Sequence, residues 1–180
     1  MSFPILETNR LILKEIKPEH VNEIYQIFSN ENVTRYYGMS PFTEESQANQ
    51  MIESFRSKFE NKQGMRWGIV EKESNRLIGT IGLNNLMIPS KRTEIGYDLL
   101  PTYWGKGFIS EAIKEVITYC FQTLELFRIG AVIFPENIAS SKAIEKVGFQ
   151  KEGLLRGYIF QDHHSHDVFV YSLIKPDWKN

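Results

Sequence analysis

The 180-residue chain holds a single cysteine, Cys120, so it can form neither an internal disulfide nor a cysteine-based zinc site, which fits a reducing compartment. It has no run approaching the roughly 18 uninterrupted apolar residues that suggest a membrane-spanning helix. It also lacks an excess of one charge. The 21 basic and 22 acidic residues leave a net charge of -1, so no global field draws the protein to nucleic acid or an anionic membrane. Met1-Ser2-Phe3-Pro4 lacks a basic segment leading into an apolar one, the pattern of a secretory leader. Internal repeats, low-complexity tracts and linkers are missing too. These absences predict a cytoplasmic protein with no membrane partner and no direct nucleic-acid partner. With 42% apolar and 13% aromatic residues, the length suits one domain over 1–180.

What is present alternates between two periods. Residues 10–16 are β-rich, with Leu11 and Leu13 on one face. Pro18 suits the start of a helix carrying Val21, Ile24, Ile27 and Phe28 on one side. A second helix is predicted from Thr43, whose hydroxyl can cap it, with Ala48, Met51, Ile52, Phe55 and Phe59 at helical spacing. Residues 66–72 and 76–87 form a hairpin about Ser74-Asn75, and residues 92–99 add a strand. The strongest helical stripe runs from Ile109 through Ala112, Ile113, Val116, Ile117 and Cys120 to Phe121. A strand at 128–134, a short helix at 139–147, and strands at 150–160 and 167–174 around a polar turn at 162–166 complete the order. The seven strands and four helices imply an α/β (α+β) domain with a mixed, mainly antiparallel sheet flanked by helices.

Tyr103-Trp104-Gly105-Lys106-Gly107-Phe108 lies between a strand and that strong helix. A glycine turn feeding a helix N-terminus offers unpaired amides to an anion. A nucleoside triphosphatase loop needs G-x-x-x-x-G-K-[ST], which this stretch lacks. A dinucleotide fingerprint needs a third glycine or an alanine where Ser110 stands. An isolated G-x-G also serves as a simple tight turn.

The flanking residues add a resemblance. Glu94-Ile95-Gly96-Tyr97, then Trp104-Gly105-Lys106-Gly107-Phe108 and Glu111-Ala112, resemble motif A of the GNAT acyltransferases in their RimJ/RimL-like branch. Asn137-Ile138-Ala139-Ser140, with Ala143 and Lys146-Val147-Gly148-Phe149, is similar to that family's N-x-x-S and G-F elements, and Glu7-Thr8-Asn9-Arg10-Leu11 resembles its opening strand. The resemblance spans residues 7–174 and implies a GNAT fold with splayed central strands and an acetyl-CoA site between them. It implies that main-chain amides of Trp104, Gly105, Lys106, Gly107, Phe108 and Ile109 hold pyrophosphate, with Thr102 departing from the family's Gln or Arg. By the same resemblance Tyr97, Asp98 and Leu99 pair with the pantetheine amides, and Asn137 and Ser140 face its sulfur end. Lys106 reads equally as a point charge or a solvated lysine.

Acetyl transfer to an amine needs a neutral nucleophile and a leaving thiolate that is neutralised. Many GNAT enzymes resemble one another in a tyrosine four residues before the G-F glycine, where this chain has Ile144. Ser140 therefore becomes the expected hydroxyl, with a helix-cap role as its alternative. Glu94 is the expected base, directly or through water, or else a structural carboxylate bonded to loop amides or paired with Arg92. No carboxylate falls in Arg156-Gly157-Tyr158-Ile159-Phe160, leaving Tyr158 as a substrate contact or a packing residue. By the same resemblance Tyr36 and Tyr37 fall on an acceptor-side wall, with core packing as their alternative. His163, His164 and His166 read as an exposed turn rather than a metal site. The expectation is an N-acetyltransferase without metal, monomeric or homodimeric, acting on a protein N-terminal amine of ribosomal-protein type. A polyamine, amino acid or antibiotic acceptor is the alternative, as is a non-catalytic acetyl-CoA-binding module.

Overall fold

The structure is a computed structural model describing residues 2–179. Its strands are β1 (Leu6–Glu7), β2 (Leu11–Glu15), β3 (Met65–Glu71), β4 (Arg76–Met87), β5 (Arg92–Leu99), β6 (Arg128–Ile133), β7 (Gln150–Gln161) and β8 (His164–Ile174). The helices are α1 (Val21–Phe28), α2 (Glu31–Thr34), α3 (Glu45–Glu60), α4 (Phe108–Thr118) and α5 (Ile138–Lys146). One sheet runs in the order β1-β2-β3-β4-β5-β6-β8-β7. Its only parallel pair among the described residues is β5–β6, so the sheet is mixed and mainly antiparallel as expected. It has eight strands rather than seven, because Leu6–Glu7 adds a two-residue edge too short to show a period.

Other boundaries also move. The second predicted helix starts at Glu45, not Thr43: Gln47 reaches back to accept from the Glu44 N–H at 3.1 Å, so Glu44 takes the cap position. The short α2 was not anticipated, since its four residues span barely one turn. The turn expected over 162–166 narrows to Asp162-His163, both at positive φ (52° and 63°), and His164 and His166 lie within β8.

Apolar faces cover the sheet on both sides. Ile24, Ile27, Phe28, Ala48 and Ile52 from α1 and α3 pack with Val70 and Leu77 on one face. On the other, Phe108, Ala112, Ile113, Val116 and Ile117 of α4 pack with Leu11, Leu13, Ile81 and Ile129. Burying each such aliphatic side chain contributes about 1.5–3 kcal/mol, and this orients both helices. The α4 stripe extends to Cys120 and Phe121 through a π-helical turn, Tyr119–Thr123.

The decisive feature is where pairing stops. β5 and β6 are in register at Arg92↔Arg128, Thr93↔Ile129 and Glu94↔Gly130, beyond which the two strands separate. This opens a gap through the middle of the sheet.

Candidate active site

The glycine loop meets α4 with two left-handed residues, Gly105 (φ 73°) and Gly107 (φ 80°). Any other L-residue would cost about 1–2 kcal/mol at each place, which is why glycine occupies both. The resulting turn leaves the N–H groups of residues 105–110 without a hydrogen-bond acceptor among the described residues. A methyl on Gly105 would meet nothing within 4 Å, so the loop is open on that side. This fits a pyrophosphate, whose oxygens accept several N–H bonds and favour a helix N-terminus. Half-exposed Trp104 donates its indole N–H to the Leu99 carbonyl at 2.7 Å, fastening the loop to the end of β5. Lys106 Nζ lies 5.5 Å from the Tyr103 ring centroid.

A latch that motif reading left without a role fixes the cradle from behind. The Arg10 backbone N–H and Nε donate to the two carboxylate oxygens of Glu111, each at 2.8 Å, and the Thr8 hydroxyl donates to the same group. Arg10 Nη1 donates to the Lys106 carbonyl at 2.9 Å, and its guanidinium lies 4.2 Å from the Phe108 ring centroid. Partial desolvation pushes the Glu111 carboxyl up, but the bonds from Thr8 and Arg10 outweigh it and hold it below the usual carboxylate range. The partners lie about a hundred residues apart, so no local pattern links them.

At the gap, the Tyr97 hydroxyl sits 2.8 Å from Ser140 Oγ and 3.3 Å from the Ser140 carbonyl. Burial pushes the phenol up to about 12, partly offset by the Ser140 bond, so it stays protonated. Asn137, not Ser140, caps α5: its Oδ1 accepts from the Ser140 N–H at 3.3 Å, which leaves the serine hydroxyl free of that duty. Ile144 is fully buried, and the phenol in contact with Ser140 comes from β5. Sequence reading had given Tyr97 only a main-chain role.

Glu94 stands at the apex of the gap, packed over Gly130, and accepts from Asn85 Nδ2 at 3.1 Å. It makes no pair with Arg92, whose Nη2 faces Met87. Glu94, Tyr97, Asn137 and Ser140 all line one cleft of about 580 Å³, together with Tyr36, Tyr37 and residues of α3. The Tyr36-Tyr37 wall is held by Gln161, an unpredicted buried amide. It accepts from the Gly38 N–H at 2.9 Å and donates to the carbonyls of Thr34, Arg35 and Met39.

One expected residue lies elsewhere. Tyr158 is half-exposed on β7 outside the cleft, and its neighbour Ile159 lines the wall instead. The Asp98 side chain is buried away from the gap, accepting from the Thr80 N–H at 3.0 Å and hydroxyl at 2.6 Å. Burial raises its carboxyl to about 6 against those bonds and the nearby Arg66 charge. Among the described residues no group of His, Cys, Asp and Glu could hold a metal ion, and no helix is long and apolar enough to cross a membrane.

Residues 10–150 match the model of the acetyltransferase (GNAT) domain. The chain is 47% identical to the uncharacterized N-acetyltransferase YoaA of Bacillus subtilis, over 97% of this chain and 98% of that one. It is 30% identical to the ribosomal protein uS5-alanine N-acetyltransferase of Escherichia coli, over 66% of this chain and 62% of that enzyme. Among solved structures, the spermidine N-acetyltransferase of Vibrio cholerae in complex with CoA and spermine superposes with a TM-score of 0.83 at 21% identity. That alignment covers 96% of this chain and all of the other.

Proposed function

The chain belongs to the GNAT acetyltransferase family, and from that premise we propose that it moves an acetyl group from acetyl-CoA to a protein N-terminal amine in a ternary complex. One observation carries the reading: the cleft beneath α3 opens on the β5–β6 gap, where Glu94, Tyr97, Asn137 and Ser140 line it together. A donor in the cradle and an acceptor in the cleft meet beside Glu94, Tyr97 and Ser140.

When bound, acetyl-CoA supplies the thioester carbonyl. The free amides of Gly105 through Ile109 cradle its pyrophosphate, the Trp104 N–H being taken by the Pro101 carbonyl at 3.1 Å; the free edge of β5 at Tyr97, Asp98 and Leu99 meets its pantetheine arm, and Asn137 and Ser140 flank its sulfur. An α-amine, with an ordinary pKa of about 8, is far easier to neutralise than a lysine at about 10.4. Glu94 takes the amine proton through water. Of the two bonded hydroxyls the phenol is the stronger acid, so Tyr97 donates to Ser140 Oγ. The serine hydrogen is then free to turn into the gap and bond the developing thiolate. A thiolate near pKa 8.5 needs only that support before water reprotonates it. Tyr36 and Tyr37 wall the acceptor.

A polyamine fits less well. Glu94 is the one carboxylate lining the cleft among the described residues, whereas Lys58 and Arg66 also line it. The uS5-alanine enzyme lends the peptide reading further support. The test is mass spectrometry of peptides and small amines incubated with enzyme and acetyl-CoA, alongside thiol release. Acetylated peptide N-termini are expected; preferential acetylation of spermidine overturns the reading.

A further inference from the structure

Arg66 is 6% exposed and has no carboxylate within 4.0 Å among the described residues. Its recorded hydrogen-bond acceptors are neutral. Nη1 donates to the Gly96 carbonyl at 3.1 Å and the Thr80 hydroxyl at 3.5 Å, and Nη2 donates to Asn84 Oδ1 at 3.1 Å. Asp98 is reached only through Thr80. A guanidinium has five N–H donors, so Nε and one Nη2 hydrogen remain uncommitted beside the cleft that Arg66 lines. Burying a cation without a direct counter-ion is costly, and such a charge calls for a complement.

The sheet is shaped to put it there. Arg66, Gly82 and Gly96 lie side by side across β3, β4 and β5. A Cβ on Gly82 would fall 2.7 Å from Arg66 Nε, and one on Gly96 would fall 3.0 Å from Asn84 Nδ2 and 3.6 Å from Arg66 Nη2. The paired glycines thus form a side-chain-free trough in which the guanidinium lies flat, reaching from β3 to β5. Gly96 is two residues beyond Glu94 on the same face of β5, a spacing of roughly 6.6 Å along the strand. The cleft floor therefore offers an anion at the gap and, one pleat away, a cation with spare donors.

The geometry points to Arg66 as the anion-recognising end of the acceptor site: the acceptor is an amine that also bears a carboxylate, its amine at Glu94 and its carboxylate on the guanidinium. This rests on the acetyl-transfer reading above and adds a carboxylate to its acceptor; a peptide source narrows the proposed substrate, whereas an amino-acid source replaces it. The carboxylate has two possible sources, an acidic side chain early in a peptide or the α-carboxylate of an amino acid.

The probes are two matched pairs: Ala-Glu-Ala-amide against Ala-Gln-Ala-amide, and alanine against alaninamide, with spermidine as a third arm. A charge-assisted, fork-like bond predicts that the carboxylate member of at least one pair wins in kcat/KM by about 10- to 100-fold. In Arg66→Gln that ratio falls to near one, and Arg66→Lys, keeping charge without the fork, gives an intermediate ratio should the glutamine variant fail to fold. The responding pair identifies the source. Ratios near one in the wild type, a preference surviving in both variants, or faster turnover of spermidine overturns the inference. The same pairs titrated calorimetrically into CoA-loaded protein read recognition without turnover. Absence of acetylation with an Arg66-dependent carboxylate preference in binding therefore sinks the reaction and keeps the site; equal binding sinks the site.

Discussion

Tyr97 Oη lies 2.8 Å from Ser140 Oγ, a contact that ties the free end of β5 to the first turn of α5 across the gap in the sheet. With Asn137 capping the helix, neither hydroxyl is consumed by secondary structure. Ser140→Ala should lower kcat about 100-fold, as for loss of one donor to a developing anion, and Tyr97→Phe about 10-fold. The double variant should resemble Ser140→Ala alone, because the phenol acts through the serine. Steady-state kinetics with acetyl-CoA saturating decides this, and an undiminished kcat in Ser140→Ala removes the proposed role.

Glu94 at the apex predicts a different signature. Glu94→Gln keeps the bulk but cannot take a proton, so turnover must await amine that is already neutral, and the pH optimum should move upward. The measurement is the pH profile of kcat for both proteins; superimposable profiles exclude Glu94 as the base.

The cradle makes a binding prediction. Gly105→Ala introduces a left-handed alanine, costing about 1–2 kcal/mol, which the turn relieves by moving the amides out of their present arrangement. Acetyl-CoA affinity should fall about tenfold or more. Arg10→Ala removes the bond to the Lys106 carbonyl and the support of Glu111, and should weaken the same Kd from outside the site. Calorimetry on both variants, with melting curves to establish folding, tests the cradle and its latch together.

Two carboxylates should give stability opposite dependences on pH. Glu152 is pulled down to about 2 by Arg128 and Ser172, so its contribution is present above its unfolded pKa near 4.5 and lost as pH falls toward 2. Asp98 is raised to about 6 by burial, so its contribution is complete below its unfolded value near 3.8 and declines as pH rises through 6. Glu152→Gln should flatten the acid limb of Tm against pH, and Asp98→Asn the fall between about pH 4 and 6. A profile unchanged by either substitution contradicts the corresponding environment.

Seven of the eight strands were legible; six of them bury residues, and burial imposes a pattern on the residues that carry it, while β7, exposed along almost its whole length, was marked by the polar turn that follows it. Leu6–Glu7 escaped because two residues have no period. Thr43 was a sound cap on local grounds, yet Gln47 bonded the backbone from within the helix and moved the boundary.

Residue order alone determined the glycine-to-helix cradle and its family, since left-handed turns and orphan amides are local properties of Gly105, Gly107 and α4. It also determined that Ile144 could supply no hydroxyl. Tertiary structure alone decided which phenol meets Ser140, because Tyr97 lies against it where β5 and β6 have parted beyond Glu94 and Gly130. The Arg10–Glu111 latch and the trough under Arg66 are likewise products of strand register, where residues far apart in sequence meet through pairing that no local pattern encodes.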